Sequence, residues 1–540
     1  MAASPARSPA GEAVPDALVQ VLEILEDTHE DLSSCGPATL SLVSRTFTLL
    51  NTAFDLPSTS SRAHHLSDAS TLSSALLRLC DEKINSFPYK DVPVCWRRLY
   101  TDAILLGALA ALATPRSAKY PAKEKKRLEE VVKQLDMSLI IAGAPGEGRE
   151  ELIFALIEVA QDALRKASAS TASEDRSTSP PNKKRRLSPH PSVSPSPLLP
   201  PYIARPLPSL PSLPTFLALP SITPSAPPFD PSLPHSSSFV VRSACSAGTG
   251  WPAVDRWSSL VYLQEQAGPG RVVPVEVGGD YTQAGWGQRV MPFDEFLDTL
   301  SPATPPSPPS KSSSTASLPA PPVYYLAQHS LFRQFPSLLS DLSIPDIVYS
   351  APSTDGAGAP YEGIKTSDGY IINAWLGPAG TKSAAHTDPW WNCYVQVTGS
   401  KWVWVAPPSC SSAMAAFGAS SASSSPSSSS NHANLPKDDP ELSSSETAEQ
   451  YMSNTSSLDV TVPPPSSMRD DGYSPSLAAD SGKEHEKRQE KGYYPQAWLE
   501  QVEPLARQVV LQAGDVLIMP PGWWHAMKSL ETSFSVSIWF

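Results

Sequence analysis

Residues 386–405 read HTDPWWNCYVQVTGSKWVWV, and this stretch decides the fold class. From Cys393 to Val405 aromatic and β-branched residues dominate, which suits a packed, pleated surface. Gly399-Ser400 interrupts them where a two-residue turn would sit. The pattern predicts a hairpin in which Thr398 pairs with Lys401, Gln396 with Val403 and Tyr394 with Val405. Side chains two apart in a strand share a face. Counting back by twos from Thr398 reaches Asn392, Asp388 and His386, provided the phase survives Pro389.

His386-Thr387-Asp388 thus sits at the start of a strand with its imidazole and carboxylate on one face. With a second imidazole from elsewhere, such a pair makes the facial triad that binds Fe(II) and leaves positions open, as oxygen activation requires. The second imidazole is expected from His525, which ends GDVLIMPPGWWH (residues 514–525): a turn, a strand, a Pro/Gly corner and the histidine. The two histidines stand 139 positions apart, and about 80 of those positions are a Ser-rich tract. His432 and His485 lie inside that tract, without the rigid support a metal site needs. Lys401 projects into the same interior as the proposed ligands. A lysine aimed into a β-barrel is costly unless it meets an anion. A dicarboxylate chelating iron at one end and pairing with Lys401 at the other would supply one. The alternative is a lysine at a hairpin end that snorkels to solvent.

Strand-like segments extend outward from here: Val272 to Val277, Ile371 to Trp375, Leu511 to Met519 and Ser533 to Phe540. Only one clear helix, Phe293 to Leu300, lies among them. Short antiparallel strands with Gly/Pro turns indicate an all-β sandwich or barrel. Two low-complexity tracts, 301–322 and 409–490, follow apparent strand ends and read as flexible inserts, since doubling a loop adds only about 0.6 kcal/mol of closure entropy.

The N-terminal part differs. From Ala17 to Lys166 apolar residues recur at helical spacing, in the stripes Leu18/Val21/Leu22/Leu25, Leu128/Val131/Val132/Leu135 and Leu152/Leu156/Val159/Ala163. Trp96 to Ala113 is nearly all apolar and is expected at the centre of a bundle. The fold class is therefore α+β and multidomain: a helical domain (1–166), a Ser/Pro-rich linker (167–237) and a β domain (238–540). The 59 prolines, clustered with serines, explain why 540 residues hold only two folded units.

A net charge of −13 disfavours wrapping nucleic-acid phosphates. The six cysteines are scattered, without a C-x-x-C, so neither a disulfide framework nor a zinc module is indicated and a reducing compartment fits. No basic stretch followed by an apolar core opens the chain, and its longest apolar run, Ile104 to Ala113, is about half of what a membrane helix needs. We expect a soluble intracellular protein with no membrane association. Lys183, Lys184, Arg185 and Arg186, in the linker, match what a nuclear-import receptor reads, so a nuclear location, with cytoplasmic residence beside it, is expected.

Asn373 to Pro408 and Gly514 to Phe540 resemble the JmjC family of Fe(II)/2-oxoglutarate oxygenases, a double-stranded β-helix (jelly-roll, cupin-like) fold. Within it, RVVPVEVG (271–278), YLAQH (325–329) and NAWLGP (373–378) are most similar to the arginyl hydroxylase branch known as lysine-specific demethylase 8. The resemblance covers Trp257 to Phe540 apart from the inserts, and among the N-terminal helices only the region of Trp96 to Ala103. It implies that His386, Asp388 and His525 hold iron and carry catalysis with O2, and that Tyr325, Ser383, Asn392 and Lys401 contact 2-oxoglutarate. The chain departs from the family in its Ser-rich insert and in Trp390-Trp391. Oxidative decarboxylation of 2-oxoglutarate to succinate, coupled to attack on a C–H bond of a protein substrate, is the chemistry implied.

Three outputs compete: hydroxylation of an arginine side chain, lysine demethylation, and an inert cupin-like interaction module. All ligand positions and the lysine occur together, which disfavours the inert module. The family's histone demethylases often carry zinc-bound readers and a Glu at the position of Asp388, which favours hydroxylation. The resemblance places Glu276 at the mouth of the barrel near Trp375, where a carboxylate and an indole face together would suit a guanidinium better than a methylated lysine.

Overall fold

The computed structural model describes residues 14–175 (apart from 28, 58–59, 89–90 and 116–120), 217–218, 221–222, 237–300 (apart from 279–285), 322–417 (apart from 351 and 356), 454–462 and 494–540. Contacts divide the chain into two units. One comprises Met1–Ser194 with Gln264–Pro274 and Val290–Asp298, the other Pro195–Leu263, Val275–Arg289 and Thr299–Phe540.

The first unit is built on α1 (Asp16–Asp27), α2 (Pro37–Asp55), α3 (Ser60–Ile84), α4 (Val94–Ala113), α5 (Pro121–Met137) and α6 (Arg149–Asp175). The apolar α4 lies at the centre and touches the other five. Every residue of the three expected stripes is buried except the half-buried Val159. Inside this apolar mass, Asp102 is buried against Arg149 at 2.9 Å and Arg98 at 3.2 Å. Gln264–Pro274, which the sequence alone assigns to the β domain, joins the helical unit. Polar contacts explain this: Arg271 meets Asp136 at 2.7 Å, and Gln161 Nε2 donates to the Ala267 and Pro269 carbonyls at 3.0 Å. No helix among the described residues is long and apolar enough to cross a membrane.

The linker expected from Ala167 is not uniform. α6 continues to Asp175, and two short strands, β1 (Leu217–Ala218) and β2 (Ser221–Ile222), pair with strands of the β unit. The basic run 183–186 and the tract 301–321 lie outside the described residues.

The other strands are β3 (Phe239–Val241), β4 (Val272–Val277), β5 (Gly287–Pro292), β6 (Tyr324–His329), β7 (Ile371–Gly377), β8 (Lys382–Thr387), β9 (Asn392–Thr398), β10 (Lys401–Ala406), β11 (Arg507–Leu511), β12 (Val516–Met519), β13 (Trp524–Ser529) and β14 (Ser533–Trp539). The expected strand Leu511 to Met519 is two strands. Asp515 turns the chain between them, its buried carboxylate accepting from Gln512 N at 2.8 Å and pairing with Arg242 at 2.7 Å. From β7 onward the strands fall into two antiparallel layers, ordered β11-β10-β13-β8 and β12-β9-β14-β7, with β6, β4 and β5 extending the second. This is a double-stranded β-helix, as expected.

The Gly399-Ser400 hairpin is not formed. β9 pairs with β12 and β14, whereas β10 pairs with β11 and β13, so the turn carries the chain from one layer to the other. Both strands are buried on both faces, which a two-stranded ribbon with one wet face cannot provide. Gly399 permits the crossing: its φ is +72°, and a Cβ there would collide with the Thr532 carbonyl. The outward face of β10, with Trp402 and Trp404, is covered by Cys410, Met414, Val460, Tyr494 and Trp498.

Candidate metal centre

β13 and β8 lie side by side with His525 and His386 as register partners, so the two rings meet, their centroids 4.2 Å apart. Asp388 follows the end of β8, not its start as the sequence suggests, and its carbonyl accepts from Gly522 N at 2.8 Å. That bond ties the Pro520–Gly522 corner to the carboxylate-bearing loop. Asp388 Oδ1 lies 3.9 Å from His386 Nε2, and Oδ2 lies 3.5 Å from His525 Nε2. The three ligand atoms fall within 4.8 Å of one another, and this is the metal-capable cluster found among the described residues.

The proton inventory fits coordination. His386 Nδ1 is 2.7 Å from the Ala384 carbonyl and His525 Nδ1 is 3.1 Å from the Trp523 carbonyl. A carbonyl only accepts, so each ring carries a proton on Nδ1 and presents Nε2 toward Asp388. Burial, and then the neighbouring His386, hold the His525 imidazole down at about 4, which keeps it neutral and able to coordinate at neutral pH.

Ser383 and His386 are three apart, so an unbroken strand would turn them to opposite faces. The register of β8 against β13 shifts by one residue between His386 and Ser383. This bulge turns both inward, where Ser383 hydrogen-bonds the buried Tyr325. Burial, with smaller contributions from Tyr394 and Glu276, pushes the Tyr325 phenol up, so it stays a protonated donor. Asn392 Nδ2 lies 3.5 Å from Asp388 Oδ2, and its buried Oδ1 has no hydrogen-bond partner.

Lys401 is 1 % exposed. Its Nζ donates to the Tyr394 hydroxyl at 2.8 Å, and among the described residues it meets no carboxylate. Burial pulls the ammonium down from 10.5 to about 7. The sequence expectation that Lys401 faces inward holds although its supposed hairpin does not, because strand periodicity survives the change of partner.

Tyr325 is the register partner of Glu276, and its ring lies 6.2 Å from that of Trp375, whose Nε1 donates to Ser537 Oγ at 3.0 Å. The two expected substrate residues therefore flank Tyr325.

The Ser-rich tract contains a part that sequence reasoning missed. β8 is the edge of its sheet, and residues 454–462 occupy that free edge. Thr455 bridges His386, Ser456 N donates to the Ala385 carbonyl at 2.7 Å, and Thr387 N donates to the Asn454 carbonyl at 3.0 Å. Asp459 anchors the segment through Lys382 at 2.6 Å. The one periodic signal in this segment, the alternation of Leu458, Val460 and Val462, is short and lies inside the Ser-rich tract, so composition masks it. Asn454 also lines a cavity of about 480 Å³ beside Asp388, together with Asp355, Thr387, Pro389 and Gly522. The expectation of a dispensable insert over 409–490 is thereby corrected. Phe417 N donates to the Thr455 carbonyl at 2.9 Å, so replacing only 418–453 by a short linker is expected to leave metal affinity and melting temperature unchanged. Deletion of 411–490 is expected to lower the melting temperature by several degrees or abolish soluble expression, because it strips Met414 and Val460 from Trp402 and Trp404. Equal melting of the two deletions would remove residues 454–462 from the structural role assigned here.

Residues 234–540 match the cupin-like domain family. The chain belongs to this family. The cupin-like domain is similar to Jumonji C domain-containing protein 5 of Drosophila melanogaster, 32 % identical over 291 residues, covering 54 % of this chain and 52 % of the fly protein. It is also similar to lysine-specific demethylase 8 of Xenopus tropicalis, 28 % identical over 54 % of this chain and 45 % of that protein. The chain thus spans about half the length of these two relatives. Against lysine-specific demethylase 8 of Danio rerio the identity is 27 % over 461 residues, 85 % of this chain and 84 % of the zebrafish protein. That alignment is longer than the cupin-like domain and reaches into the N-terminal part, further than the Trp96 to Ala103 resemblance noticed in the sequence.

Proposed function

We propose that this protein is an Fe(II)- and 2-oxoglutarate-dependent oxygenase that hydroxylates an arginine side chain of a protein substrate. The observation that carries the reading is the pairing, inside one barrel, of a His/Asp/His cluster with a buried lysine that meets no carboxylate among the described residues. The residues fit both groups. Two imidazoles and one carboxylate are the donors of a facial Fe(II) site. Lys401, Tyr325, Ser383 and Asn392 offer donors to a dicarboxylate, and a buried ammonium is stabilised by such a partner.

When bound, iron(II) and 2-oxoglutarate supply oxidative decarboxylation of the cosubstrate to succinate and CO2, with one oxygen atom of O2 passing to a C–H bond. The chain's share is positional. His386 and His525, tied by Nδ1 to backbone carbonyls, cannot turn their Nε2 atoms away. Asp388 is fixed from behind by Gly522. The apolar walls from Tyr394, Val403, Val405, Met519 and Met527 exclude water from the interior.

Incubation with arginine- and lysine-containing peptides, iron, 2-oxoglutarate and O2, read by mass spectrometry, tests the reading. A gain of one oxygen atom on arginine supports it. Loss of a methyl group from a methylated lysine would support the demethylase reading, which the names of the frog and zebrafish relatives favour. Absence of succinate formation with every peptide would indicate an inert module.

Glu276 and Trp375, both beside Tyr325, support arginine as the target, through a two-point carboxylate–guanidinium pair and an indole face. Glu276→Gln is expected to reduce turnover on arginine peptides about tenfold or more while peptide-independent succinate formation persists, since charge-assisted bonds contribute about 1.5–3 kcal/mol. Equal loss of both activities would show damage to the cosubstrate end, and no loss would remove Glu276 from substrate binding.

A further inference from the structure

At the end of the barrel away from the metal ligands, the buried Lys401 ammonium lies between two tyrosines. Lys401 Nζ stands 5.5 Å and 5.9 Å from the ring centroids of Tyr394 and Tyr325. Tyr325 is engaged by Ser383, and Ser535 Oγ donates to Gln396 Oε1 at 2.8 Å. Tyr394 is buried in the middle of β9 and accepts from Lys401, so its own proton remains to be given, either to the nearby Ser535 or to an acceptor that enters. No carboxylate of the described chain fills that role. An anion lodged beside Lys401 would therefore find two donors converging from adjacent atoms, 2.8 Å apart, one charged and one neutral.

We propose that Tyr394 is a binding residue for the far carboxylate of the cosubstrate, its hydroxyl and the Lys401 ammonium each donating to that carboxylate. This rests on the oxygenase reading above and adds a residue that the sequence comparison with the family did not assign. It also gives Tyr394 a consequence for specificity. The phenol sits among Leu511, Leu517 and Met527, so it contributes bulk to the floor of the barrel as well as a proton. An acid lacking the far carboxylate would bury a methyl group against two unanswered donors, which is unfavourable.

The test uses the full chain loaded with Mn(II), which supports binding without turnover, and titration calorimetry with two ligands. One is 2-oxoglutarate; the other is 2-oxopentanoate, in which a methyl replaces the far carboxylate. Tyr394→Phe removes only the hydroxyl. It is expected to weaken 2-oxoglutarate about tenfold, the effect of losing one hydrogen bond to a charged group, and to leave 2-oxopentanoate within about twofold of wild type. Selectivity between the two acids then falls by the same factor, which a loosened fold would not produce. Unchanged 2-oxoglutarate affinity in Tyr394→Phe, with Lys401→Ala weakened, would overturn this assignment alone. Equal weakening of both acids would make Tyr394 a packing residue and overturn it as well. If wild type binds neither acid, or if Lys401→Ala binds as wild type does, the cosubstrate reading itself fails and this inference with it.

Discussion

Asp388→Ala is expected to lose metal binding and all succinate formation while the protein melts within a few degrees of wild type. The two imidazoles that remain, without the carboxylate, leave a divalent ion under-coordinated and its charge unopposed. Loss of groups that merely support a ligand costs 10- to 100-fold in metal affinity, so loss of the ligand itself is expected to cost at least about 100-fold. The fold is expected to survive because the contact that positions this loop is made by the Asp388 backbone carbonyl to Gly522, which the substitution keeps. Metal titration and a thermal melt on the same sample separate the two effects. Wild-type affinity in Asp388→Ala would sink the triad assignment, and a collapsed melt would show Asp388 to be structural.

Lys401→Ala is expected to weaken 2-oxoglutarate by about 10- to 150-fold, from the roughly 1.5–3 kcal/mol of a charge-assisted bond, with metal affinity unchanged. The pH dependence carries a sharper signature. Burial holds the ligand-free ammonium at about 7, and a carboxylate beside it raises that value again. Above pH 7 the lysine must therefore take up a proton when the ligand binds, so affinity falls as pH rises, by up to about tenfold per unit. Lys401→Ala is expected to bind weakly with no such slope. Stability runs the other way. Below pH 7 both folded and unfolded chains carry the proton, and the fold bears the whole cost of the buried charge. Between about 7 and the ordinary 10.5 the unfolded chain binds more protons, so ligand-free wild type gains stability with rising pH relative to Lys401→Met. A flat difference between the two melting curves across that window would show that the ammonium is better solvated than its burial implies.

Periodicity was enough to mark the helical stripes around α4 and the strands β4, β7, β9, β10 and β14, because a period of 3.6 or 2 is a local property of the chain. It was also enough to turn Lys401 inward, since the two-residue repeat holds whichever strand lies alongside. His386, Asp388 and His525 were legible because the intervening tract could be recognised by composition and set aside. Pairing was not legible. Whether Gly399-Ser400 closes a hairpin or crosses between layers depends on Thr532 and Ser533, more than a hundred residues away, which leave room only for a glycine.

The sequence by itself therefore determined the fold class and the residue types of the candidate metal centre. Tertiary structure alone decided which residues share a space. The bulge in β8 turns Ser383 to the same side as His386, against simple alternation. Tyr394 acquires its role only because β9 and β10 stand in facing layers, with its hydroxyl across the interior from Lys401. Residues 454–462, hidden in a Ser-rich tract, fold against β8 because that strand is an edge whose unpaired backbone groups need partners. Local patterns record the preferences of single segments, whereas register, bulges and edge covering are settled by satisfying hydrogen bonds and burial across the whole barrel at once.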